Sequence, residues 1–363
     1  MQRFSLLCST VLILLFQIAR SQETGIKAPL QSAETYLISQ FAAKDVIFLG
    51  EVHRIKEQVE FVGRLIPALH KNGINLLFSE FARYKDTRRI DSLITAPVFD
   101  KELAARIMYD DSWDWGYQEY IDLYHAAWIV NQSLPGNEPP FRIIGMEDYD
   151  NEFNGIYDTE QFWAHLIDSI GIKKGAKSLV WCGMHHAFTA YHQPYIVNDT
   201  LKGFVGSRAG NFLYRKYPEK VITVLMHGPW DWRGYTYSNI TLPGNGAFDA
   251  LLSPDADPQD GAGFSTSASP LGENSLNNTS YGIGYKSLTL REMCHGYLVI
   301  KPICELHPVT LIPGFINASN AEETVKRAEM GSLSPEAFND TIESWLFRYS
   351  TKNLNAVKRK YCR

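Results

Sequence analysis

Short apolar runs that alternate with helical segments constrain the fold of this chain more than any other feature. Each run has four to seven residues and is bounded by turn-forming or charged residues. Continuous apolar runs of this length are typical of strands that are buried on both faces of a sheet. The six runs are Asp45–Leu49, Ile74–Phe78, Phe141–Ile144, Ser178–Trp181, Lys220–Met226 and Tyr297–Ile300.

Helical periodicity fills most of the gaps between these runs. Apolar residues recur at helical spacing from Ile55 to Leu69, and Asn72-Gly73 is typical of a helix end. Strands that alternate with helices predict an α/β fold, with a mostly parallel sheet flanked by helices on both faces. Further helices are predicted over residues 32–41, 117–130, 159–170, 321–328 and 335–349.

One domain is predicted over residues 22–363, with its core at about 44–230. Residues 253–287 are rich in Gly, Ser, Asn, Asp and Pro and predict an extended loop or lid. Residues 288–363 are expected to form a helical and loop-rich C-terminal elaboration.

The first 21 residues have the composition of a signal peptide. Arg3 supplies a positive start, Leu6 to Ile18 is mostly apolar, and Ala19-Arg20-Ser21 fits the cleavage pattern. The expected location is therefore secreted or periplasmic. No later run reaches about 18 apolar residues, so no stable membrane span is expected in the mature chain. A net charge of −5 with mixed signs argues against nucleic acid as a partner.

Four cysteines follow the predicted cleavage point, and none has Cys-x-x-Cys spacing. Cys182 lies in an apolar run and is predicted to be a buried thiol. The other three, Cys294, Cys304 and Cys362, are expected to include one disulfide that pins the C-terminus.

Titratable side chains stand at the ends of five of the apolar runs. In an open parallel sheet the carboxyl ends of the strands share one edge, where ligands bind. Residues far apart in sequence should therefore converge on one crevice. Buried histidines and acids also serve as hydrogen-bonded or capping residues, an alternative that stays open for His227 and for Glu147 with Asp148. The residues at the run ends are Glu51 and His53, Glu80, Glu147 and Asp148, His185 and His186, and His227.

Two of these ends share a Gly-x-x-His spacing, Gly50 to His53 and Gly183 to His186. With Glu80 they offer two imidazoles and a carboxylate, a set that suits zinc, manganese or iron. The same set suits acid–base hydrolysis without a metal, in which a carboxylate fixes the imidazole tautomer. The spacing does not distinguish these possibilities.

The predicted catalytic residues are His53, Glu51, Glu80 and His186, of which His53, Glu80 and His186 are also the candidate metal ligands. Predicted substrate contacts are Arg64, Glu147 and His185, and Arg64 could equally face solvent. The aromatic segments at 109–115 and 230–232 form either a rim for an organic substrate or ordinary packing. Gly-x-Ser-x-Gly, His-Glu-x-x-His and Gly-x-Gly-x-x-Gly are absent from the sequence, which disfavours a serine hydrolase elbow, a zinc protease helix and a dinucleotide site.

At these motifs the chain resembles the erythromycin esterase and ChaN-like group, which is related in motif to the TraB and Tiki proteins. The resemblance rests on Gly50-Glu51-Val52-His53, Phe78-Ser79-Glu80 and Gly183-Met184-His185-His186, with Arg64 in the intervening helix and Gly145-Met146-Glu147-Asp148 after a later run. It implies a hydrolase that cleaves an ester, lactone or amide bond in a small molecule or peptide. The group also includes metal-dependent peptidases and haem-binding proteins, so an exported haem- or iron-binding protein without catalysis is the alternative. The esterases usually carry glycine after the first His, whereas this chain has Arg54.

Overall fold

A computed structural model describes residues 30–148, 158–198, 200–231, 240–252, 261–330 and 354–362. The predicted signal peptide and the predicted helix over 335–349 lie outside the described residues.

The helices are α1 (Ala33–Gln40), α2 (Lys56–Lys71), α3 (Thr87–Thr95), α4 (Lys101–Asp111), α5 (Gln118–Gln132), α6 (Thr159–Leu166), α7 (Ala209–Lys216), α8 (Leu290–Met293) and α9 (Ala321–Met330), with a last helix over 354–361. The strands are β1 (Val46–Glu51), β2 (Leu76–Arg83), β3 (Arg142–Glu147), β4 (Ser178–Gly183), β5 (Gln193–Val197), β6 (Thr200–Val205), β7 (Val221–Met226), β8 (Trp230–Asp231), β9 (Ile240–Thr241), β10 (Ala262–Ser265) and β11 (Gly296–Val299).

Seven strands form the central sheet in the order β10-β11-β7-β1-β4-β2-β3. Every neighbouring pair is parallel except β10 and β11, which are antiparallel. The predicted mostly parallel α/β sheet is therefore confirmed, and β1 lies at its centre between β4 and β7.

Both faces of the sheet are covered, as its uninterrupted apolar strands require. Ile47 and Leu49 of β1 pack into a core that includes side chains of α1 to α5. Val46 and Phe48 face the other side and pack with side chains of α6, α7 and α8. Because successive strand residues point to opposite faces, one apolar run serves two cores.

The stretch predicted as a loop or lid contains more structure than its composition suggests. Within 261–287, β10 adds an edge strand to the sheet through its pairing with β11. Phe264, Leu276 and Tyr281 are buried in the core, so this part of the chain is not a detached cover. The expectation was wrong there because pairing with β11, a distant strand, stabilises a segment whose own composition favours turns. Residues 253–260 lie outside the described residues.

A C-terminal strap, residues 303–312, lies along the turn that follows β1. The Lys56 amide donates to the His307 carbonyl, and Ile55 forms a β-bridge with Pro308. The buried Glu57 carboxylate accepts from the His307 amide at 2.8 Å and pairs with its Nδ1 at 2.6 Å. A disulfide between Cys304 and Cys362 ties the strap to the last helix, which confirms the predicted link to the C-terminus. Cys182 is a buried free thiol, as predicted.

None of the helices among the described residues combines the length and the apolar character that crossing a bilayer requires.

Candidate functional site

Glu51 and His53 form a fixed pair at the carboxyl end of β1. The Glu51 side chain is fully buried, and its Oε1 lies 3.0 Å from Nδ1 of His53. The Tyr120 hydroxyl donates to Oε1 at 3.1 Å, and the Trp181 indole N–H donates to Oε2 at 2.9 Å. A carboxylate held in this way accepts a hydrogen bond from Nδ1–H of His53, so that Nε2 is the nitrogen without a proton in the neutral ring.

Glu80 lies between the two imidazoles of the site. Its Oε1 is 3.8 Å from Nε2 of His53 and 3.6 Å from Nε2 of His186. Its Oε2 accepts a hydrogen bond from the Gly183 amide at 2.6 Å. The sequence placed Glu80 after its strand, but β2 continues to Arg83, and its pairing with β3 is irregular between Ser79 and Arg83. Irregular pairing of this kind re-aims side chains, which accounts for a polar residue within the strand.

His186 has a carboxylate partner of its own, Glu160 on α6. Nδ1 of His186 lies 2.9 Å from Glu160 Oε1, which also accepts from Arg208 Nη1 at 2.9 Å. Glu160 Oε2 accepts from the Ala209 amide at the start of α7, at 2.8 Å. Burial alone would raise the pKa of Glu160, but the hydrogen bonds from His186, Arg208 and Ala209 outweigh it and lower the pKa.

The two histidine–carboxylate pairs therefore meet at Glu80. Burial alone would lower the pKa of His186, but the carboxylates of Glu80 and Glu160 outweigh it and raise the pKa above its usual value. His186 thus tends to carry a proton, and the site combines one imidazole that holds a proton with one whose Nε2 is free to accept.

The glycine of the second Gly-x-x-His turn makes room for the histidine of the first. A Cβ at Gly183 would lie 2.6 Å from Cε1 and 2.8 Å from Nε2 of His53, and 3.5 Å from Oε2 of Glu80. Because glycine has no Cβ, it lets another group approach its backbone this closely. The structure shows that the close approach is to the partner motif itself.

Arg54 adopts a left-handed backbone conformation, with φ of 67°. Glycine occupies this conformation without strain, whereas a residue with a side chain pays a free-energy cost to adopt it. Here the guanidinium carbon lies 3.9 Å from the centroid of the Trp115 ring, and Nη2 donates to Asp114 at 3.3 Å. Trp115 also contacts the His53 ring edge-on, with centroids 5.4 Å apart, so the first aromatic segment does reach the site.

Two buried acids near Glu80, Glu147 and Asp111, have raised pKa values. Burial and the charges of Glu80, Asp111 and Glu160 raise the pKa of Glu147 to about 9. Burial and the charge of Glu80 also raise the pKa of Asp111 well above its usual value, against the opposing effect of Arg83. Glu147 therefore serves as a neutral hydrogen-bonding group at neutral pH.

His185 turns away from the carboxylates. Its Nε2 lies 2.9 Å from the Tyr281 hydroxyl and 3.4 Å from Nε2 of Gln193. Burial and the positive charge of Arg208 lower the pKa of His185 to about 3.

The structure brings Glu51, His53, Glu80 and His186 together and separates two other residues from them. Arg64 is exposed on α2, where its guanidinium carbon lies 5.9 Å from the centroid of the Phe61 ring. Its role in substrate binding stays a prediction. His227 is buried, with its Nδ1 at 2.9 Å from the Tyr297 hydroxyl and its Nε2 at 3.2 Å from Asp249, which fits the hydrogen-bonded alternative.

Among the described residues, no three His, Cys, Asp or Glu side chains are arranged as a ligand group for a metal ion. The side chains at the site nevertheless suit a metal ion. Carboxylates hold both imidazoles through Nδ1, and both Nε2 atoms face Glu80. Metal-binding histidines are usually held in this way.

Sequence reasoning missed the residues that fix the site residues in place from other parts of the fold. These are Tyr120, Trp181, Glu160, Gln193, Arg208 and Tyr281. Of these, only Trp181 belongs to a run whose end the sequence had marked, so the others carried no strand-end signal.

Comparison with known proteins gives one family match. Residues 37–141 match the family model described as "Haem-binding uptake, Tiki superfamily, ChaN". A search of curated proteins gave no match.

Several solved structures are similar to this chain at low sequence identity and with TM-scores below 0.5. An erythromycin esterase variant in its open conformation is 9% identical, with 73% of this chain and 92% of that chain covered and a TM-score of 0.46. ChaN of Campylobacter jejuni, solved with cofacial haem, is 13% identical over 52% of this chain and 84% of that chain, with a TM-score of 0.34. A Bacillus cereus protein is 11% identical over 76% of this chain and 92% of that chain, with a TM-score of 0.45.

The matched stretch contains the Gly50–His53 turn and Glu80, two of the motifs from which the resemblance was predicted. The second Gly-x-x-His turn lies beyond it. The predicted resemblance to the ChaN-like and Tiki proteins is confirmed over residues 37–141, where this chain is similar to that family.

Proposed function

We propose that this chain is an exported hydrolase that cleaves an ester, lactone or amide bond in a small molecule or peptide. The observation that carries the proposal is the pair of histidine–carboxylate couples, Glu51–His53 and Glu160–His186, which converge on Glu80. One couple is poised to accept a proton and the other to donate one.

His53 is the general base in this proposal. Glu51 Oε1 lies 3.0 Å from Nδ1 of His53 and accepts its N–H, so the Nε2 lone pair is available to a water molecule. The His53 side chain is 36% exposed, which gives water and substrate access to the ring. Phe81 and Trp115 contact the ring edge-on and limit its rotation.

His186 is the general acid. Glu80 and Glu160 raise its pKa, so its protonated form persists toward neutral pH. Its side chain is 24% exposed, so the imidazolium can reach a bound substrate. Glu160 orients the ring through Nδ1 and leaves the Nε2 proton for the leaving group.

The proposed reaction moves two protons. His53 takes a proton from water as the water oxygen forms a bond to the carbonyl carbon. The bond from that carbon to the leaving oxygen or nitrogen then breaks, and His186 gives its proton to the leaving atom. Transfer of a proton from His53 back to His186 through solvent restores the starting state. Glu80, close to both Nε2 atoms, stabilises whichever imidazole is charged.

Metal-assisted hydrolysis is a second mechanism for the same reaction. If present, it would be held by His53, His186 and Glu80 and would lower the pKa of a bound water. Elemental analysis of protein purified without added metal separates this form from the metal-free one. A stoichiometric metal supports it, and full activity of metal-free protein refutes it.

Haem or iron binding without catalysis is the alternative that the family description favours. The geometry fits it less well than hydrolysis. Oε1 of Glu80 lies 3.8 Å from one imidazole Nε2 and 3.6 Å from the other, in the space that a porphyrin ligated by both histidines would need. A haem absorption band that disappears in His53→Ala would favour binding over hydrolysis.

Export is part of the proposal. The Cys304–Cys362 disulfide supports it, because such bonds persist in oxidising compartments. Sequencing of secreted protein should give Gln22 as the first residue. Retention of residues 1–21 in exported protein would contradict the cleavage site.

A hydrolysis assay with matched variants tests the central activity. Wild type, His53→Ala and the exposed control His192→Ala are tested against alkyl esters, lactones and acyl amides, and acid release is followed. We expect turnover by wild type and by the control, and none by His53→Ala with unchanged circular dichroism. Turnover that survives in folded His53→Ala would refute the assignment.

A further inference from the structure

A small apolar cluster, separate from the two cores of the sheet, packs around the turn that carries His53. Val52 and Ile55, which flank His53 and Arg54 in sequence, both pack in it. The last helix, residues 354–361, contributes side chains to the same cluster, as do the strap and the chain at β9. Together these residues form the turn cluster: Val52, Ile55, Ile240, Leu242, Ile303, Leu306, Leu354, Ala356 and Val357.

The strap is the fixed side of the turn cluster, because two buried carboxylates hold it further along the chain. Glu57 accepts the His307 amide at 2.8 Å. Glu119, in the first turn of α5, accepts the Thr310 amide at 2.8 Å through Oε2 and the Thr310 hydroxyl at 2.6 Å through Oε1. Removing these donors from buried carboxylates would be costly. The strap is therefore held by bonds that do not depend on its disulfide.

The last helix is held less firmly than the strap. Helices as short as residues 354–361 are marginal in water without tertiary contacts. Leu354 and Val357 are buried, at 3% and 0% exposure, and Lys360 Nζ donates to the Ile240 carbonyl at 3.3 Å. The disulfide adds a covalent link from this helix to the fixed strap. Opening the disulfide should therefore release the helix before any other part of the turn cluster.

The disulfide is accessible to a reductant. Cys304 is exposed and Cys362 is partly exposed. The free cysteines Cys182 and Cys294 are buried, at 0% and 3% exposure. Thiol–disulfide exchange requires a thiolate to reach a disulfide sulfur, so access decides which bond reacts. A dithiol can thus open this bond while the buried thiols stay out of reach.

We propose that the Cys304–Cys362 disulfide is a redox-sensitive switch that holds the last helix against the turn of the proposed base. A thiolate of a dithiol reductant attacks one sulfur, and the S–S bond breaks as a mixed disulfide forms. The second thiolate of the reductant then displaces the protein sulfur. The reductant leaves as a cyclic disulfide, and its two electrons and two protons remain on the Cys304 and Cys362 thiols.

Release of the helix acts on the turn through apolar contacts. Without Leu354 and Val357, water reaches Val52 and Ile55, and the turn between them loses part of its packing. His53 lies in this turn, and a displacement of about 1 Å at a catalytic group can cost about 10²-fold in rate. Among the described residues, neither core of the sheet includes a side chain of the last helix, so the sheet stays folded. The effect on activity rests on the proposed hydrolase function.

Alkylation of the folded protein tests access to the disulfide. The protein is treated with dithiothreitol, its accessible thiols are alkylated, and the modified cysteines are identified by mass spectrometry. We expect alkylation at Cys304 and Cys362, and none at Cys182 and Cys294. A disulfide that stays closed until the protein unfolds refutes the switch.

Hydrogen exchange tests the structural coupling without reference to activity. After reduction, amide exchange should become at least about tenfold faster at residues 52–56 and 354–361, and it should stay unchanged in β1, β4 and β7. Unchanged exchange at 52–56 in fully reduced protein refutes the coupling. Lost protection throughout the sheet refutes it as well, because the disulfide would then support the whole fold and not the turn alone.

Kinetics test the effect on the proposed reaction, with Cys304→Ser as the matched control. We expect kcat to fall about 10–100-fold in reduced wild type and in Cys304→Ser. Oxidised glutathione should restore reduced wild type, and neither reductant nor oxidant should change Cys304→Ser. An unchanged kcat in fully reduced wild type refutes the switch. Absent turnover by oxidised wild type refutes the hydrolase instead, and hydrogen exchange still decides whether the disulfide controls the turn.

Discussion

Replacing Glu147 with glutamine should stabilise the protein, and the gain should depend on pH. Burial and neighbouring acids raise the pKa of Glu147 from 4.5 to about 9. The folded protein therefore keeps this proton at pH values where the unfolded chain has released it. Glutamine resembles the protonated acid in shape and has no charge to lose.

The magnitude follows from proton linkage. Between pH 4.5 and 9 the folded state binds one proton more than the unfolded state at this group, so its contribution to stability falls by about 1.4 kcal/mol per pH unit. At pH 7 the loss amounts to about 3 kcal/mol, and at pH 4.5 it is close to zero. Glu147→Gln removes this loss, so its advantage over wild type should grow from about zero near pH 4.5 to about 3 kcal/mol at pH 7.

Urea unfolding of both proteins at pH 5, 6, 7 and 8 measures the difference directly. The exposed Glu138→Gln serves as a control whose difference from wild type should not change with pH. Hydrolysis by Glu147→Gln should persist, since the native group already works without charge. A stability difference that is independent of pH, or that favours wild type more as pH rises, would refute the reasoning.

Three further outcomes follow from the site and from the C-terminal disulfide. Gly183→Ala should push the His53 ring aside and lower kcat about a hundredfold, with the fold intact by circular dichroism; unchanged kcat would show that the ring has room. Glu160→Gln should remove the carboxylate that raises the pKa of His186, so that activity falls off at a lower pH than in wild type; a pH–rate profile with an unmoved alkaline limb would contradict the acid role. Cys362→Ser opens a disulfide with a sequence separation of 58 and should cost about 4 kcal/mol in urea unfolding, whereas a loss below about 1 kcal/mol would show that the strap holds without it.

The sheet and the site residues at the strand ends were predictable because strand ends carry a local signal in the sequence. An apolar run marks a buried strand, and the polar residue after it marks the shared edge. Glu51, His53, Glu80 and His186 do converge as that argument requires. The sequence did not distinguish the roles of these side chains, which follow from the distances between them.

The residues that hold the histidines had no such signal. Glu160 lies on a helix and Arg208 in the loop before another, and they meet because α6 and α7 pack on the same face of the sheet. The distance between them is set by tertiary packing and not by sequence spacing. The same limit explains β10, a strand stabilised by its pairing with β11 in a stretch whose composition favours turns.

Arg54 departs from the family pattern, and the structure shows its backbone conformation and side-chain contacts. The sequence showed only that arginine stands where the esterases have glycine. The structure adds that this residue has a left-handed backbone, which glycine adopts without strain, and that the arginine side chain contacts Trp115. Strain of this kind costs about 1–2 kcal/mol and is offset by the contacts of the side chain.

The measurement that tests the central claim most directly is kcat of Glu51→Gln on the best wild-type substrate. Glutamine keeps the shape of the buried side chain but no longer fixes the Nδ1 proton of His53. If His53 is the base that Glu51 holds in one tautomer, kcat should fall by about 10⁴-fold while the far-ultraviolet circular dichroism stays unchanged. A kcat within about tenfold of wild type would contradict the assignment of His53, in the Gly50–His53 turn, as the catalytic base.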